Sequence, residues 1–172
     1  MPHIDLIDPN STDAETAELF RVVRAYVEEV PPPLRLFANN PKVAQAVFNG
    51  FGPSMSQSSL SQPFFAWIRY LVADSSDCTH CVDYNGGVLL EMGVSQEDLT
   101  AAKEDPSSVP LDDKEKALLL VCLTVVKDRS LLEKQEIEDL KQRGLTNADL
   151  VTAVHHTVHS QATDLMINAF GL

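Results

Sequence analysis

The sequence predicts an all-α protein, because apolar residues recur at helical spacing and helix-start and helix-stop signals divide the chain. The β-branched residues lie inside runs of helical period and do not alternate with polar residues, so we predict no strand. We expect residues 1–172 to form a single domain, since a chain of this length with 44% apolar residues can bury one hydrophobic core.

The first two predicted helices lie near the N-terminus. Thr12 and Glu15 have the T-x-x-E spacing of a capping box, which predicts a helix start. The three prolines at 31–33 predict the end of this helix, because proline cannot continue it. Asn40 followed by Pro41 predicts a second, short helix, since asparagine is a good N-cap and proline suits the first helical position.

The middle of the chain is predicted to hold two longer helices after a loop. The segment GPSMSQSS at 52–59 is rich in turn-forming residues and predicts the loop. Ser61 is the predicted N-cap of the helix QPFFAWIRYLVA, and Asp77 is the predicted N-cap of the helix that carries two cysteines. Gly93 is suited to the C-cap that ends this second helix.

The remaining chain is predicted to form four further helices. Ser95 opens the first of them, and PSSVP at 106–110 is the clearest internal linker. Two helices follow within 111–128 and 133–144, and a long last helix runs from about residue 147 to 170.

A short internal echo suggests a duplicated helix pair. The segment GVSQEDL at 93–99 recurs as GLTNADL at 144–150, 51 residues later. At the same offset, the helix at 61–73 lies over the segment 112–124. The alternative is that Gly-x-Ser or Gly-x-Thr simply marks a helix end followed by a helix start.

The charge of the chain disfavours two classes of partner. Lys and Arg total 13 against 25 Asp and Glu, which gives a net charge of −12. This charge repels phosphate backbones and anionic lipids, so we expect neither nucleic acid nor a membrane surface as partner. The longest apolar run, residues 117–126, is too short to span a bilayer, and residues 1–15 show no targeting pattern. We therefore expect a cytoplasmic protein.

The segment CTHCVDYN places two cysteines close together near a helix start. With Asp77 as N-cap, Cys78 is predicted in the first turn and Cys81 one turn later, on the same face. In a reducing compartment such a pair is more often catalytic or metal-binding than a permanent bridge. The helix N-terminus favours the reactive thiolate, and His80 can act as cation or proton carrier. Cys122, inside an apolar run, is predicted to be a core residue.

The stretch AWIRYLVADSSDCTHCVDYNGGVLLEMGVSQEDL, residues 66–99, resembles the carboxymuconolactone decarboxylase-like superfamily, specifically its alkylhydroperoxidase D-like (AhpD-like) branch. The resemblance extends over most of the chain, including KEKALLLVCLTVVKD and RGLTNADLVTAV. It implies an all-helical AhpD-like domain, a homo-oligomer, and thiol-dependent peroxidase or disulfide-reductase chemistry. The implied partners are a peroxide or disulfide substrate and a protein or small-molecule thiol reductant. We expect no cofactor and no metal.

The resemblance also assigns the site residue by residue. Cys78 and Cys81 match the family's cysteines, and His80 matches a histidine found between them in some members. The family's glutamate falls on Ala66 and its final histidine falls on Asn85, so two proton-relay groups are replaced. Alanine does no proton chemistry, and an asparagine donates hydrogen bonds without titrating near neutral pH. The resemblance implies that Cys81 attacks the peroxide, whereas the helix dipole favours Cys78, so the order stays open.

The last predicted helix offers groups that can replace the missing base. His155 and His159 lie at i, i+4 spacing on one flank of its predicted apolar stripe, and His156 is predicted to point toward the polar side. These histidines are read either as a substitute base or metal pair, or as residues bordering the core or a subunit contact. The predicted stripe consists of Val151, Val154, Val158, Ala162, Leu165 and Ala169.

Three other functions compete with thiol redox chemistry. A zinc site can combine the two cysteines with His155 and His159, although the spacing is far beyond that of zinc fingers. A catalytically inactive helical oligomerisation module is favoured by Ala66 and Asn85. Decarboxylation of a carboxymuconolactone is the least favoured of the three, because the CxxC motif indicates the redox branch of the superfamily.

Overall fold

Helices form the regular structure of the protein. The computed structural model describes residues 2–52, 54, 59–128 and 132–172, and within these residues it contains no strand. The predicted all-α class is therefore confirmed for the described part of the chain. In the same residues, no helix has both the length and the apolar character required to cross a membrane. The described α-helices are α1 (Ala14–Val23), α2 (Pro32–Phe37), α3 (Pro41–Gly50), α4 (Gln62–Ser75), α5 (Thr79–Glu91), α6 (Gln96–Glu104), α7 (Asp113–Asp128), α8 (Lys134–Gln142) and α9 (Asn147–Ala169), with a 3₁₀ turn at Pro106–Ser108.

Contacts divide the chain into two compact units. Unit 1 comprises Met1–Gly52 and Met166–Leu172, and unit 2 comprises Pro53–Leu165. The prediction of one domain over residues 1–172 stays a prediction. The loop predicted at 52–59 falls mostly on residues outside the described part of the chain.

Unit 1 contains α1 to α3. The start of α1 and the position of the prolines both differ from what the sequence predicts. The N-cap of α1 is Asp13, whose carboxylate accepts hydrogen bonds from the backbone amide and the hydroxyl of Thr16, so the capping box predicted at Thr12 is wrong. The helix ends at Val23, before the prolines. Pro31 is the N-cap of α2 and two prolines occupy its first turn, where a missing amide hydrogen costs nothing.

Three further predicted helix starts are confirmed by their hydrogen bonds. Asn40, Ser61 and Ser95 each cap a helix by accepting a hydrogen bond from the amide three residues later, as predicted. Ser95 takes part in a full capping box, because a carboxylate in the first turn of α6 accepts from its backbone amide. Gly93 follows α5 with φ of +90°, a conformation that glycine adopts without strain, and this ends the helix as predicted.

The central helix of unit 2 is α4, which packs against α5 and α7. A helix that is apolar all round is stable only when other elements cover every face, and α4 is apolar on most of its surface. This burial places Ala66 in the core and holds Arg69, the only charged residue in the middle of α4, against its neighbours. The buried residues of α4 are Phe64, Phe65, Ala66, Trp67, Ile68, Tyr70, Leu71, Val72 and Ala73.

The helix starts agree with the internal echo. Helices α7 and α9 begin 51 residues after α4 and α6, the same offset as the matching sequence segments. A carboxylate near the start of α7, Glu115, accepts hydrogen bonds from the amide and hydroxyl of Ser61 at the start of α4. The starts of α4 and α7 are thereby joined by hydrogen bonds, and the duplication itself stays a prediction.

The buried face of α9 is the opposite of the predicted one. Five of the six residues of the predicted apolar stripe are exposed, among them Val151 at 70%, Val158 at 46% and Leu165 at 56% of their full accessibility. The residues that face the core of unit 2 are mostly polar. Burial of the hydroxyls is tolerated because each donates a hydrogen bond to a carbonyl one turn earlier in α9. This buried face includes Ala153, His156, Thr157, Ser160, Thr163 and Asp164.

Candidate functional site

The two cysteines of the CxxC motif lie together at the start of α5. Cys78 and Cys81 are joined by a disulfide, with an S–S distance of 2.06 Å and their Cα atoms 5.2 Å apart. Both side chains are buried in unit 2. The pair is therefore close enough to exist as a disulfide, as the shared helix face predicts.

The start of α5 differs from the predicted one. Cys78 itself is the N-cap, so Cys81 is the third helical residue, and the prediction that Asp77 caps the helix is wrong. Asp77 adopts the left-handed conformation, with φ of +53°, while the amide of Cys78 donates to the carbonyl of Ala73. These are the features of a Schellman motif, which ends α4 and leaves Asp77 outside both helices.

The position of the cysteines favours thiolate formation after reduction. The first amides of α5 have no partner within the helix, and the helix dipole is positive at this end. Both effects lower the free energy of a negatively charged sulfur on Cys78 or Cys81. The sequence-based argument for a reactive pair therefore holds with the corrected helix start.

His80 lies between the cysteines and is half-buried. Burial lowers the pKa of its imidazole, and the nearby carboxylate of Asp83 opposes this shift. The imidazole is consequently neutral near pH 7 and able to accept a proton.

Asn85 does not present a titrating group to the cysteines, and its side chain is already engaged. Its oxygen accepts a hydrogen bond from Nε of Arg69 at 2.9 Å, and its nitrogen donates to the carbonyl of Cys81 at 2.8 Å. Asn85 thus connects the backbone of the cysteine helix to a cation on α4. Ala66, at the position of the family's glutamate, is fully buried one turn before Arg69.

His156 belongs to the same network, so the prediction that it points toward the polar side is wrong. Its Nε2 lies 3.4 Å from a guanidinium nitrogen of Arg69, and its ring packs 4.9 Å from the ring of Phe65. Burial lowers the pKa of His156 to about 3, with the Arg69 charge contributing in the same direction. A guanidinium only donates, so Nε2 is the acceptor of a neutral imidazole. Sequence reasoning missed Arg69, although a lone cation inside an apolar helix was a usable signal.

Asp164 on α9 approaches both cysteine sulfurs. One carboxylate oxygen and the two sulfurs all lie within 4.8 Å of one another. The side chain is 5% exposed, and its Oδ2 has no hydrogen-bond partner among the described residues. Burial raises the pKa of Asp164 to about 7. Sequence reasoning missed this residue, because the stripe of α9 was assigned to the wrong face.

The zinc site proposed from the sequence is not assembled. The rings of His155 and His159 stack on each other at 5.7 Å. Within the described part of the chain, neither ring lies close enough to join the two cysteines in a group of three or more ligand atoms. The sulfurs are also bonded to each other, which removes them as metal ligands in this state.

Cys122 is a core residue, as predicted. It is fully buried on α7, and burial raises the pKa of its thiol to about 12, against a smaller opposing effect of a hydrogen bond with Thr157. A thiol with this pKa is protonated at neutral pH and does not react as a nucleophile.

Comparisons with solved structures identify the fold. No protein-family model and no curated protein matches the sequence. An uncharacterised peroxidase-related protein from Silicibacter sp. TM1040 superposes with a TM-score of 0.84 at 18% identity, covering 99% of this chain and 90% of that one. A peroxidase-related protein from Ralstonia eutropha JMP134, described as an alkylhydroperoxidase AhpD core, gives 0.83 at 17% identity with the same coverages. The debrominase Bmp8 gives 0.75 at 15% identity, covering 96% of this chain and 88% of that one.

These similarities show that the chain has the fold of an alkylhydroperoxidase AhpD core. The fold implied by the sequence resemblance is thus confirmed. At identities of 15% to 18% the comparisons establish the architecture, and the chemistry has to be argued from the site.

Proposed function

We propose that this AhpD-like protein is a thiol-dependent oxidoreductase whose Cys78–Cys81 pair alternates between dithiol and disulfide. The observation that carries the proposal is the buried disulfide at the N-terminus of α5. A permanent structural bridge is a poor alternative explanation, because a bridge across three residues constrains little of the unfolded chain. The names of the structural neighbours, peroxidase-related proteins and a debrominase, support redox chemistry on this fold.

With a peroxide as substrate, the cycle has three steps. One cysteine thiolate attacks the outer peroxide oxygen, so that an S–O bond forms, the O–O bond breaks and the departing alkoxide takes a proton. The second thiol then attacks the resulting sulfenic sulfur, forming the S–S bond and releasing water. A thiol reductant attacks the disulfide, supplies two electrons and restores both thiols while it becomes a disulfide itself.

The choice between peroxide and disulfide substrates depends on proton transfer. Ala66 and Asn85 replace the two relay groups of the family, and Asn85 is engaged by Arg69 and by the carbonyl of Cys81. His80, next to both cysteines, is the family-matched group that remains able to accept a proton. We propose that peroxides are the preferred substrates and that disulfides are the second candidate. The proposed reductant is a protein or small-molecule thiol, and the proposed location is the cytoplasm, where the pair can be reduced.

We expect the pair to cycle while Cys122 stays unreactive. Excess dithiol should open the disulfide, and one equivalent of peroxide should close it again, as followed by thiol titration and by mass spectrometry of the peptide that contains both cysteines. In the reduced native protein, alkylation should label Cys78 or Cys81 well before Cys122, whose thiol has a pKa of about 12. Earlier labelling of Cys122, or a pair that ignores both reagents, would contradict the proposal.

We also infer that the exposed apolar face of α9 is covered by a second copy of the chain. Val151, Val158, Ala162 and Leu165 are exposed along this one face. Such a row of exposed apolar residues is typical of interaction surfaces. The net charge of the chain, −12, makes nucleic acid and anionic membranes poor candidates for the partner. The homo-oligomer predicted from the sequence gains support from this face.

Leu165→Glu is expected to shift the protein toward the monomer. Burying a leucine contributes about 1.5–3 kcal/mol, so its loss should weaken self-association roughly tenfold to a hundredfold. Light scattering across a dilution series measures this, with Asn147→Glu, an exposed polar position on the same helix, as the control of equal charge change. A wild-type monomer at all concentrations would refute the inferred contact.

A further inference from the structure

We propose that Asp164 is the proton carrier of the Cys78–Cys81 pair, a role that rests on the redox function proposed above. The carboxyl group gives a proton to the sulfur that leaves when the disulfide is reduced. It takes a proton from a thiol when the pair is oxidised. Asp164 reaches the cysteines from α9 and is not among the positions that the family resemblance assigns.

The geometry brings one carboxylate oxygen and both sulfurs to within 4.8 Å of one another. This separation is longer than a direct hydrogen bond, but catalytic contacts in a resting state are often long and shorten during reaction. Reduction breaks the bond between the sulfurs, which then separate to non-bonded distance. A short side-chain movement or one water molecule closes the remaining gap to either sulfur.

Among the described residues, no hydrogen bond gives Oδ2 of Asp164 a structural role. The side chain is 5% exposed, and Oδ2 has no hydrogen-bond partner among the described residues. Its polar neighbours on α9 are satisfied elsewhere, since Ser160 donates to the carbonyl of His156 and Thr163 donates to that of His159. A buried carboxyl without a partner destabilises a fold, so its retention beside a disulfide indicates a chemical use.

The titration of Asp164 suits proton exchange with thiols near neutral pH. Burial is the one cause that raises its pKa to about 7, and no charged side chain in the described residues contributes. The titratable groups that approach it are the sulfurs of Cys78 and Cys81, from the start of α5. A carrier with a pKa near the working pH is populated in both protonation states, which is the condition for efficient general acid–base catalysis.

In the proposed step, Asp164 supplies the proton and the external reductant supplies the electrons. A thiolate of the external reductant attacks one sulfur of the disulfide, a new S–S bond forms, and the bond between the two cysteines breaks. The leaving sulfur receives the bonding electron pair together with the proton of Asp164, which becomes a carboxylate. In the oxidative half, the carboxylate takes up and keeps the proton of the attacking thiol, while the departing alkoxide or hydroxide is protonated by solvent, into which the reductant thiol released its proton. Asp164 therefore returns to its starting state after one cycle.

Asp164 supplies a group that can transfer protons, which the sequence lacks at the two positions occupied by Ala66 and Asn85. Ala66 does no proton chemistry, and Asn85 is bonded to Arg69 and to the carbonyl of Cys81. A carboxyl group from α9 performs the proton transfer without either residue.

The test measures the rate at which a small dithiol reduces the disulfide in wild type and in Asp164→Asn. At each pH this rate is divided by the concentration of reductant thiolate, which gives a normalised rate. In the wild type this normalised rate should fall as pH rises through about 7, because Asp164 loses its proton. In the variant it should be independent of pH and lower by roughly tenfold to a hundredfold at about pH 6, the low end of general-acid effects. Thr163→Val, which changes a satisfied neighbour on the same buried face, is the matched control and should keep the wild-type profile.

A second readout separates this proposal from the proposed function. The thiolate absorbance of the reduced pair, titrated in wild type and in Asp164→Asn, should show a lower thiol pKa in the variant, because a nearby carboxylate opposes thiolate formation. Identical rate profiles and identical thiol titrations in the two proteins would overturn the role of Asp164. A different outcome is that the wild-type pair reacts with neither dithiol nor peroxide while the thiol titrations of the two proteins still differ. That outcome would overturn the redox function and keep the electrostatic interaction between Asp164 and the thiols. Asp164→Glu should restore a pH-dependent rate.

Discussion

Of Cys78→Ser and Cys81→Ser, the variant that removes the attacking thiol is expected to abolish dithiol-dependent peroxide turnover. A serine hydroxyl does not ionise near neutral pH and forms no disulfide, so neither variant can complete the three-step cycle. The expected loss is at least about a thousandfold relative to wild type, since a missing nucleophile removes the reaction and not only its acceleration. Peroxide consumption with excess dithiol measures it for both variants.

Cys122→Ser serves as the control for this experiment. Cys122 is buried, and burial raises the pKa of its thiol to about 12, so the thiol does not react at neutral pH. Its replacement should therefore leave turnover close to the wild-type value. The two active-pair variants should also differ from each other. Replacing the attacking cysteine should give a protein that is inert to one equivalent of peroxide. Replacing the resolving cysteine should give a protein whose oxidation by one equivalent of peroxide stops at the sulfenic acid. Full turnover in both variants would place the chemistry elsewhere, because one of the two always lacks the attacking thiol.

Asp164→Asn is expected to stabilise the folded protein at alkaline pH relative to wild type. The folded-state pKa of Asp164, about 7, lies above its ordinary value of 3.8, so the folded protein binds more protons than the unfolded chain between these two values. Its contribution to stability is fully present below about pH 3.8 and is lost as pH rises through 7. Asparagine does not titrate and suffers no such loss.

The size of this effect follows from the shift. A shift of about three units corresponds to roughly 4 kcal/mol, so the variant should gain on the order of 4 kcal/mol over wild type between about pH 4 and pH 8. His156 has the opposite influence, because its pKa of about 3 makes the protein lose stability as pH falls below its ordinary 6.5. Both proteins carry His156, so the difference between them isolates Asp164.

Urea unfolding of the two proteins at several pH values measures the gap, with Thr163→Val as a control that should run parallel to wild type. A gap that stays constant with pH would show that Asp164 titrates normally in the folded state. In that case both this stability prediction and the acid–base argument for Asp164 would lose their basis.

Much of the fold was readable from local sequence. The caps at Asn40, Ser61 and Ser95, the stop at Gly93 and the long helical runs were predicted correctly, because each depends on hydrogen bonds within a few residues. The closeness of Cys78 and Cys81 was equally local, since three residues along one helix start fix it. The resemblance to AhpD-like proteins gave the architecture that the structural comparisons confirm.

The errors arose where one stretch of sequence fits two local readings. Asp77 is a good N-cap by residue type, yet the end of α4 and the start of α5 compete for the same junction, and the Schellman bond from Cys78 to Ala73 takes precedence. The prolines after residue 30 read as a stop, although they also suit a first helical turn, and that is where they lie.

The sequence by itself determined an all-α chain with a CxxC pair at a helix start, because helical spacing and capping are local properties of the chain. The tertiary structure alone decided which face of α9 is buried, and with it the positions of His156 and Asp164. A helix with apolar residues on one face and hydroxyl-bearing residues on another can bury either face, since the hydroxyls are satisfied within the helix. Packing against α4 and α5 settles the choice, and it is this choice that brings a carboxyl group to the two sulfurs.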